Sequence, residues 1–110
     1  MTKLKSEFVT IAPGAQLNII THTLEAKNKK IDLRKIEFRI LYFLFINKGS
    51  FCSKEDIYIG AYDSKPALSN ALEVHLSELR KKLNGVLKLE TARGVGYRLK
   101  EELAHVEQTF

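Results

Sequence analysis

The sequence predicts an α+β domain made of a small N-terminal antiparallel sheet, three helices and a C-terminal β-hairpin. Three observations carry that prediction. Short β-rich runs broken by turn residues fill residues 7 to 33. The apolar spacing switches to a helical period near residue 34. Gly94 and Gly96 then bracket a turn between two runs rich in apolar residues. With 110 residues, 45% of them hydrophobic, the chain suits one domain with a real core and is too apolar for a disordered segment. Residues 1–100 read as that domain, with the sheet over 7–33, the helical core over 34–84 and the hairpin over 86–100. Residues 101–110 carry Glu101, Glu102 and Glu107 and read as a short acidic tail.

Phe8–Ile11 forms the first strand, because it is β-rich and stops at the turn signal Pro13-Gly14. Leu17–Thr21 and Thr23–Ala26 follow as strands, Lys27–Lys30 as a polar turn, and Ile31–Leu33 closes a sheet of three or four strands. In the first helix, residues 34–47, Ile36, Ile40, Phe43 and Leu44 share one side, and Phe38, Leu41 and Phe45 widen it to most of the circumference. Asn47-Lys48-Gly49 ends it, with Gly49 suited to a left-handed cap. Phe51-Cys52 reads as an extended link. Ser53 caps the second helix, whose first turn holds Glu55 and Asp56 where the dipole favours acids. Gly60 is expected to limit that helix, and Asp63–Pro66 to form a loop, since Pro66 disfavours helix at Lys65. The third helix spans Ala67–Leu83 and stops at Asn84-Gly85.

Leu68, Leu72, Leu76, Leu79 and Leu83 recur every three or four residues, so one face of the third helix must bury. The other side presents Asn70, Glu73, Val74, Ser77, Glu78 and Lys81, and the helix ends in the three consecutive bases Arg80, Lys81 and Lys82. Short polar groups suit base edges and terminal bases suit phosphates, although most polar helix faces are merely solvated. Charge favours the first use. The whole chain is +5, and residues 65 to 98 alone hold seven bases against three acids. A basic balance of this kind points to an anionic partner, nucleic acid first. Arg93 at the hairpin turn, beside the side-chain-free Gly94, is placed like a probe of a narrow, negative minor groove.

The order of elements looks like a winged helix-turn-helix, and two motifs narrow it to a family. Leu72-Glu-Val-His-Leu-Ser-Glu-Leu-Arg-Lys-Lys-Leu83 resembles the recognition helix of OmpR/PhoB-type effector domains, which reads V-D-V-H-I-x-x-L-R-K-K-L. Thr91-Ala-Arg-Gly-Val-Gly-Tyr-Arg-Leu99 resembles their wing, T-V-R-G-x-G-Y-R-L. Glu37–Leu41 and Ser53–Ile57 are similar to the first and second helices, so the likeness spans residues 17 to 100. It implies a bacterial transcription regulator that binds double-stranded promoter DNA, often as a head-to-tail dimer. His75 and Arg80 would contact phosphates, Thr91 and Tyr97 the backbone near the wing, and Arg93 the minor groove. Tyr62, Asp63, Ser64 and Lys65 would lie in the loop that touches RNA polymerase, with Tyr62 where many members have Trp.

The chain departs from that pattern where the family commonly carries bases, at Asn70, Ser77 and Glu78. Either Glu78 accepts from a cytosine amine, or DNA binding is weak, or this face has been turned to a protein partner. The last option makes a protein-interaction module the alternative function. Arg34 also replaces the usual Ser or Thr cap of the first helix.

Other chemistry finds little support. His22, His75 and His105 fall in different elements, and no H-E-x-x-H, G-x-S-x-G or P-loop pattern occurs, so no catalytic site, metal, cofactor or small-molecule substrate is expected. The single cysteine, Cys52, excludes an intramolecular disulfide and reads as a buried free thiol. The longest apolar run, Ile40–Ile46, is far short of the roughly 20 residues that span a bilayer. A soluble, cytoplasmic chain is expected. It would be an excised effector domain, a stand-alone regulator or the cytoplasmic part of a ToxR-like membrane regulator.

Overall fold

A computed structural model describes residues 7–62 and 70–100. Strands β1 (Phe8–Ala12), β2 (Ala15–Asn18), β3 (Thr23–Ala26) and β4 (Lys29–Asp32) form an antiparallel meander in that order. Val9, Leu17, Leu24 and Ile31 are opposite one another across the sheet, and Leu17 and Leu24 are fully buried. Thr10, Gln16, Glu25 and Lys30 form the matching outward row, the alternation expected of a sheet with one wet face. Several boundaries differ from the sequence reading: β1 runs on to Ala12, β2 begins at Ala15 and ends at Asn18, and β4 spans Lys29–Asp32. β2 stops at Asn18, because its Oδ1 accepts from the N–H groups of Ile20 at 2.8 Å and Thr21 at 3.0 Å and turns the chain there. The turn after β3 needs only Lys27 and Asn28, both at positive φ, so β4 already begins at Lys29.

Helix α1 (Lys35–Ile46) starts without a capping side chain, since the Arg34 guanidinium has no acceptor. Glu37 supplies what is missing: its Oε1 accepts from the Arg34 N–H at 2.7 Å. At the other end Asn47 donates through Nδ2 to the Phe43 carbonyl at 2.9 Å, and Gly49 takes φ +90°. Helix α2 (Lys54–Ala61) opens with the expected Ser53 cap. Ser53 Oγ accepts from the Asp56 N–H at 3.0 Å, and Asp56 Oδ2 accepts from the Ser53 N–H at 3.1 Å.

Gly60 does not limit α2 but lies within it. A Cβ there would run into the Phe43 ring, so this glycine lets α1 and α2 approach closely. Helix α3 (Ala71–Leu83) buries Leu72, Leu76, Leu79 and Leu83 as the stripe requires. Asn70 stands at its N-cap rather than inside it, and residues 67–69, assigned to the same helix above, lie outside the described residues. The Leu72 N–H donates to the Tyr58 hydroxyl at 3.3 Å, tying α3 to α2.

The hairpin comprises β5 (Lys88–Ala92) and β6 (Gly96–Lys100). Cys52 is more than a link. It exchanges backbone hydrogen bonds with Tyr97, at 2.8 and 2.9 Å, and so extends the hairpin by one more paired residue. Gly96 makes that pairing possible, because it sits at φ +155° and any Cβ would collide with the Cys52 carbonyl. Leu89 and Leu99 of the hairpin join Leu41, Leu44, Ile57 and the α3 leucines in one core.

Candidate nucleic-acid interface

Helix α3 presents a continuous exposed face made of Val74, Ser77, Glu78 and Lys81, which share one side at helical spacing. Asn70 is exposed at its start. Glu78 and Lys81 form an exposed ion pair, Nζ to Oε2, at 3.4 Å. Glu73, just beside this face, pairs with Lys54 of α2 at 3.1 Å. Burial pushes the Glu73 carboxyl up, but a backbone hydrogen bond and Lys54 outweigh it and hold it below the usual carboxylate range. That bridge has no local sequence signal, since the partners are 19 positions apart in different helices.

The wing is braced against α3. Arg80 donates through Nη2 to the Thr91 hydroxyl and, at 3.4 Å, to the Leu89 carbonyl. Both partners are neutral, so the guanidinium keeps its full charge at the seam between helix and hairpin. Arg93 stands exposed in the turn, where the Val95 N–H donates to the Ala92 carbonyl at 2.8 Å and Gly94 takes φ +77°. Among the described residues Arg93 has no hydrogen-bond or ionic partner. An open cleft between Ser53-Lys54 at the start of α2 and the wing is lined by Thr91, Arg93 and Tyr97.

Other expected site residues are engaged elsewhere. His75 is half-buried, with Nδ1 2.5 Å from the Tyr62 hydroxyl. Burial first, then Tyr58 and Glu73, push the Tyr62 hydroxyl up to about 12, so it keeps its proton at neutral pH. When that proton is donated to Nδ1, the ring's own proton sits on Nε2, which is then a donor. Tyr62 is the C-cap directly after α2, as expected, and its ring packs on Tyr58 and His75 at centroid distances of 4.6 and 5.7 Å. Asp63, Ser64 and Lys65 lie outside the described residues.

Lys82 departs most from expectation. Its ammonium lies 2.6 Å from Glu37 Oε1 and 3.1 Å from the Asp32 carbonyl, so it faces the sheet and α1 rather than the groove-facing side. Glu37 is 1% exposed, a buried carboxylate in a helix read as apolar there. Burial pushes its carboxyl up, but the Lys82 and Arg34 hydrogen bonds with their charges prevail and hold it below the usual range. Arg98 is likewise committed. It donates to Glu90 Oε1 at 2.9 Å through Nε and 2.6 Å through Nη2, and covers the Phe51 ring at 4.2 Å. Arg80 and Lys81 on α3 and Arg93 in the wing turn are exposed cations, with Lys54 of α2 paired to Glu73 beside them. Cys52 is buried, and burial and then Asp56 push its thiol up.

A four-stranded sheet, three helices and a braced hairpin, with a polar helix face beside an exposed arginine, define a winged helix-turn-helix domain. The family model described as transcriptional regulatory protein, C terminal, matches residues 28–99. The chain belongs to that family, the OmpR/PhoB-type DNA-binding effector domains of bacterial transcription regulators, which are not enzymes. It is 33% identical over 107 residues to the regulatory protein VanR of Enterococcus faecium, which covers 90% of this chain and 46% of VanR. The chain thus spans about half the length of that relative. The DNA-binding domain of CpxR from E. coli superposes with a TM-score of 0.72 at 25% identity, covering 91% of this chain and 100% of that one. The DNA-binding domain of Klebsiella pneumoniae RstA, solved in complex with the RstA box, has a TM-score of 0.74 at 16% identity and covers 86% and 97%; it shows the shared fold. No helix among the described residues is long and apolar enough to cross a membrane.

Proposed function

We propose that this domain reads double-stranded promoter DNA with α3 in the major groove and Arg93 in the adjacent minor groove. The observation that carries this reading is the Arg80 brace. By holding Thr91 and the Leu89 carbonyl, Arg80 makes the exposed face of α3 and the wing turn one preformed surface. Asn70, Val74, Ser77, Glu78 and Lys81 face the base edges. His75, Arg80, Thr91 and Tyr97 fix the register on the backbone. Lys82 is omitted from the contact set because Glu37 holds it. The RstA domain, of the same fold, was solved in complex with the RstA box, which supports DNA as the partner. The protein then acts in the bacterial cytoplasm, as a dimer on direct-repeat sites, with Tyr62, Asp63, Ser64 and Lys65 meeting RNA polymerase.

Fluorescence anisotropy on a random duplex and on promoter fragments, at two salt concentrations, tests the reading. Neutralising several phosphates gives affinity that falls steeply with salt, and one fragment is expected to bind best. The Glu78–Lys81 and Glu73–Lys54 pairs lower the net charge of this face, which is the specific feature favouring a protein partner instead. Absence of DNA binding even at low salt would favour that alternative.

A further inference from the structure

Glu78 is the residue of the exposed α3 face least suited to a phosphate-lined groove, yet it is not buried, and among the described residues its partner is Lys81 at 3.4 Å. Resting on the DNA-binding reading above, we propose that the Glu78–Lys81 ion pair reads a C·G base pair as a single acceptor–donor unit, while Val74 meets a thymine methyl one or two steps away.

The chemistry follows from the base edges. A carboxylate brought into the major groove needs a donor, and the donors there are cytosine N4 and adenine N6. Beside each lies an acceptor on the paired base, guanine O6 or thymine O4, which an ammonium next to the carboxylate can contact. The flanking atoms decide between the pairs. Next to cytosine N4 is C5–H, which does not repel a carboxylate, whereas next to adenine N6 is the acceptor N7, which does. On the other side guanine offers Lys81 both O6 and N7, whereas thymine offers O4 and then blocks further approach with its methyl group. A Glu–Lys pair already in contact is therefore complementary to C·G and mismatched to A·T. Pre-pairing also removes the need to bring an isolated carboxylate past the phosphates.

Val74 lies one helical turn before Glu78, about 6 Å along the axis, which corresponds to one or two base steps of roughly 3.4 Å. It is 49% exposed, an apolar side chain at the centre of a polar face. Apolar contact with a thymine methyl is the one base-edge feature such a side chain recognises.

The test is selection of a random-core duplex library by this whole chain and by Glu78→Gln and Val74→Ser, at low salt, with melting curves for all three. The wild type is expected to enrich a C·G pair at one position and a T·A pair one or two steps away. Glu78→Gln should switch only the first position to A·T, which glutamine contacts bidentately, with roughly tenfold loss for the original site. Val74→Ser should relax only the second. Salt-sensitive binding with unchanged base preferences in both variants would overturn the pair readout and leave DNA binding standing. No binding of any duplex by the wild type would overturn both.

Discussion

Gly96 and Glu37 show how single residues set the geometry on which the interface depends. Gly96 lies at φ +155° against the Cys52 carbonyl, so Gly96→Ala must break the Cys52–Tyr97 pairing or push the wing away. Backbone strain and overpacking together should cost about 2–3 kcal/mol, visible as a lower urea midpoint with unchanged slope. Glu37 is buried, and one oxygen serves both Arg34 N–H and Lys82. Removing one partner of a buried pair costs roughly 3–5 kcal/mol, but the Lys82 side chain keeps 32% exposure, so Lys82→Met should cost about 2–3 kcal/mol. Because the folded Glu37 carboxyl titrates below 4.5, its contribution is present above that pH and disappears as pH falls through the folded value. The stability gap between wild type and Glu37→Gln, measured by chemical denaturation across pH, should be widest near neutrality and close as the pH falls through the lowered carboxyl titration of the folded state. A gap independent of pH would contradict the ion-pair account.

At the scale of elements, Arg93→Ala should weaken binding to sites with an A·T-rich wing segment by roughly tenfold and leave melting unchanged. Equal affinity in anisotropy titrations would remove the minor-groove role. Elements with local signals were legible in the sequence: the Ser53 cap, the leucine stripe of α3, and the wing turn at Gly94 and Gly96. What escaped depends on contacts between distant residues. Gly60 looks like a helix stop by propensity, but tertiary packing against Phe43 keeps it helical. Asn18 read as mid-strand because its turn bonds involve backbone groups that a β-rich run conceals. Cys52 read as a link because its pairing partner, Tyr97, lies 45 positions away. Among the proposed contacts, the α3 face and Arg93 were recognised from spacing, charge and family likeness. The pairing of Lys82 with Glu37 was not legible, because that acid sits within an apolar helix pattern that gives no hint of it.

For the whole molecule, net charge describes the partner less well than the disposition of individual cations. Of the 18 Lys and Arg residues, Lys82 is turned to the buried Glu37 and Arg98 to the half-buried Glu90, while Arg80, Lys81 and Arg93 stand on the surface of α3 and the wing. A second surface competes with it. Phe38, Tyr42 and Phe45 of α1, with His22 of the turn before β3, stack in a half-buried row with centroid separations of 4.0, 5.7 and 6.3 Å. The two surfaces give distinct footprints, so backbone amide shifts during titration with a promoter duplex test the central claim most directly. The account predicts shifts confined to residues 70–81 of α3 and to Thr91–Tyr97 of the wing, with the sheet strands β1–β4 unmoved. Shifts centred on the α1 aromatic row, or none at either surface at low salt, would contradict it.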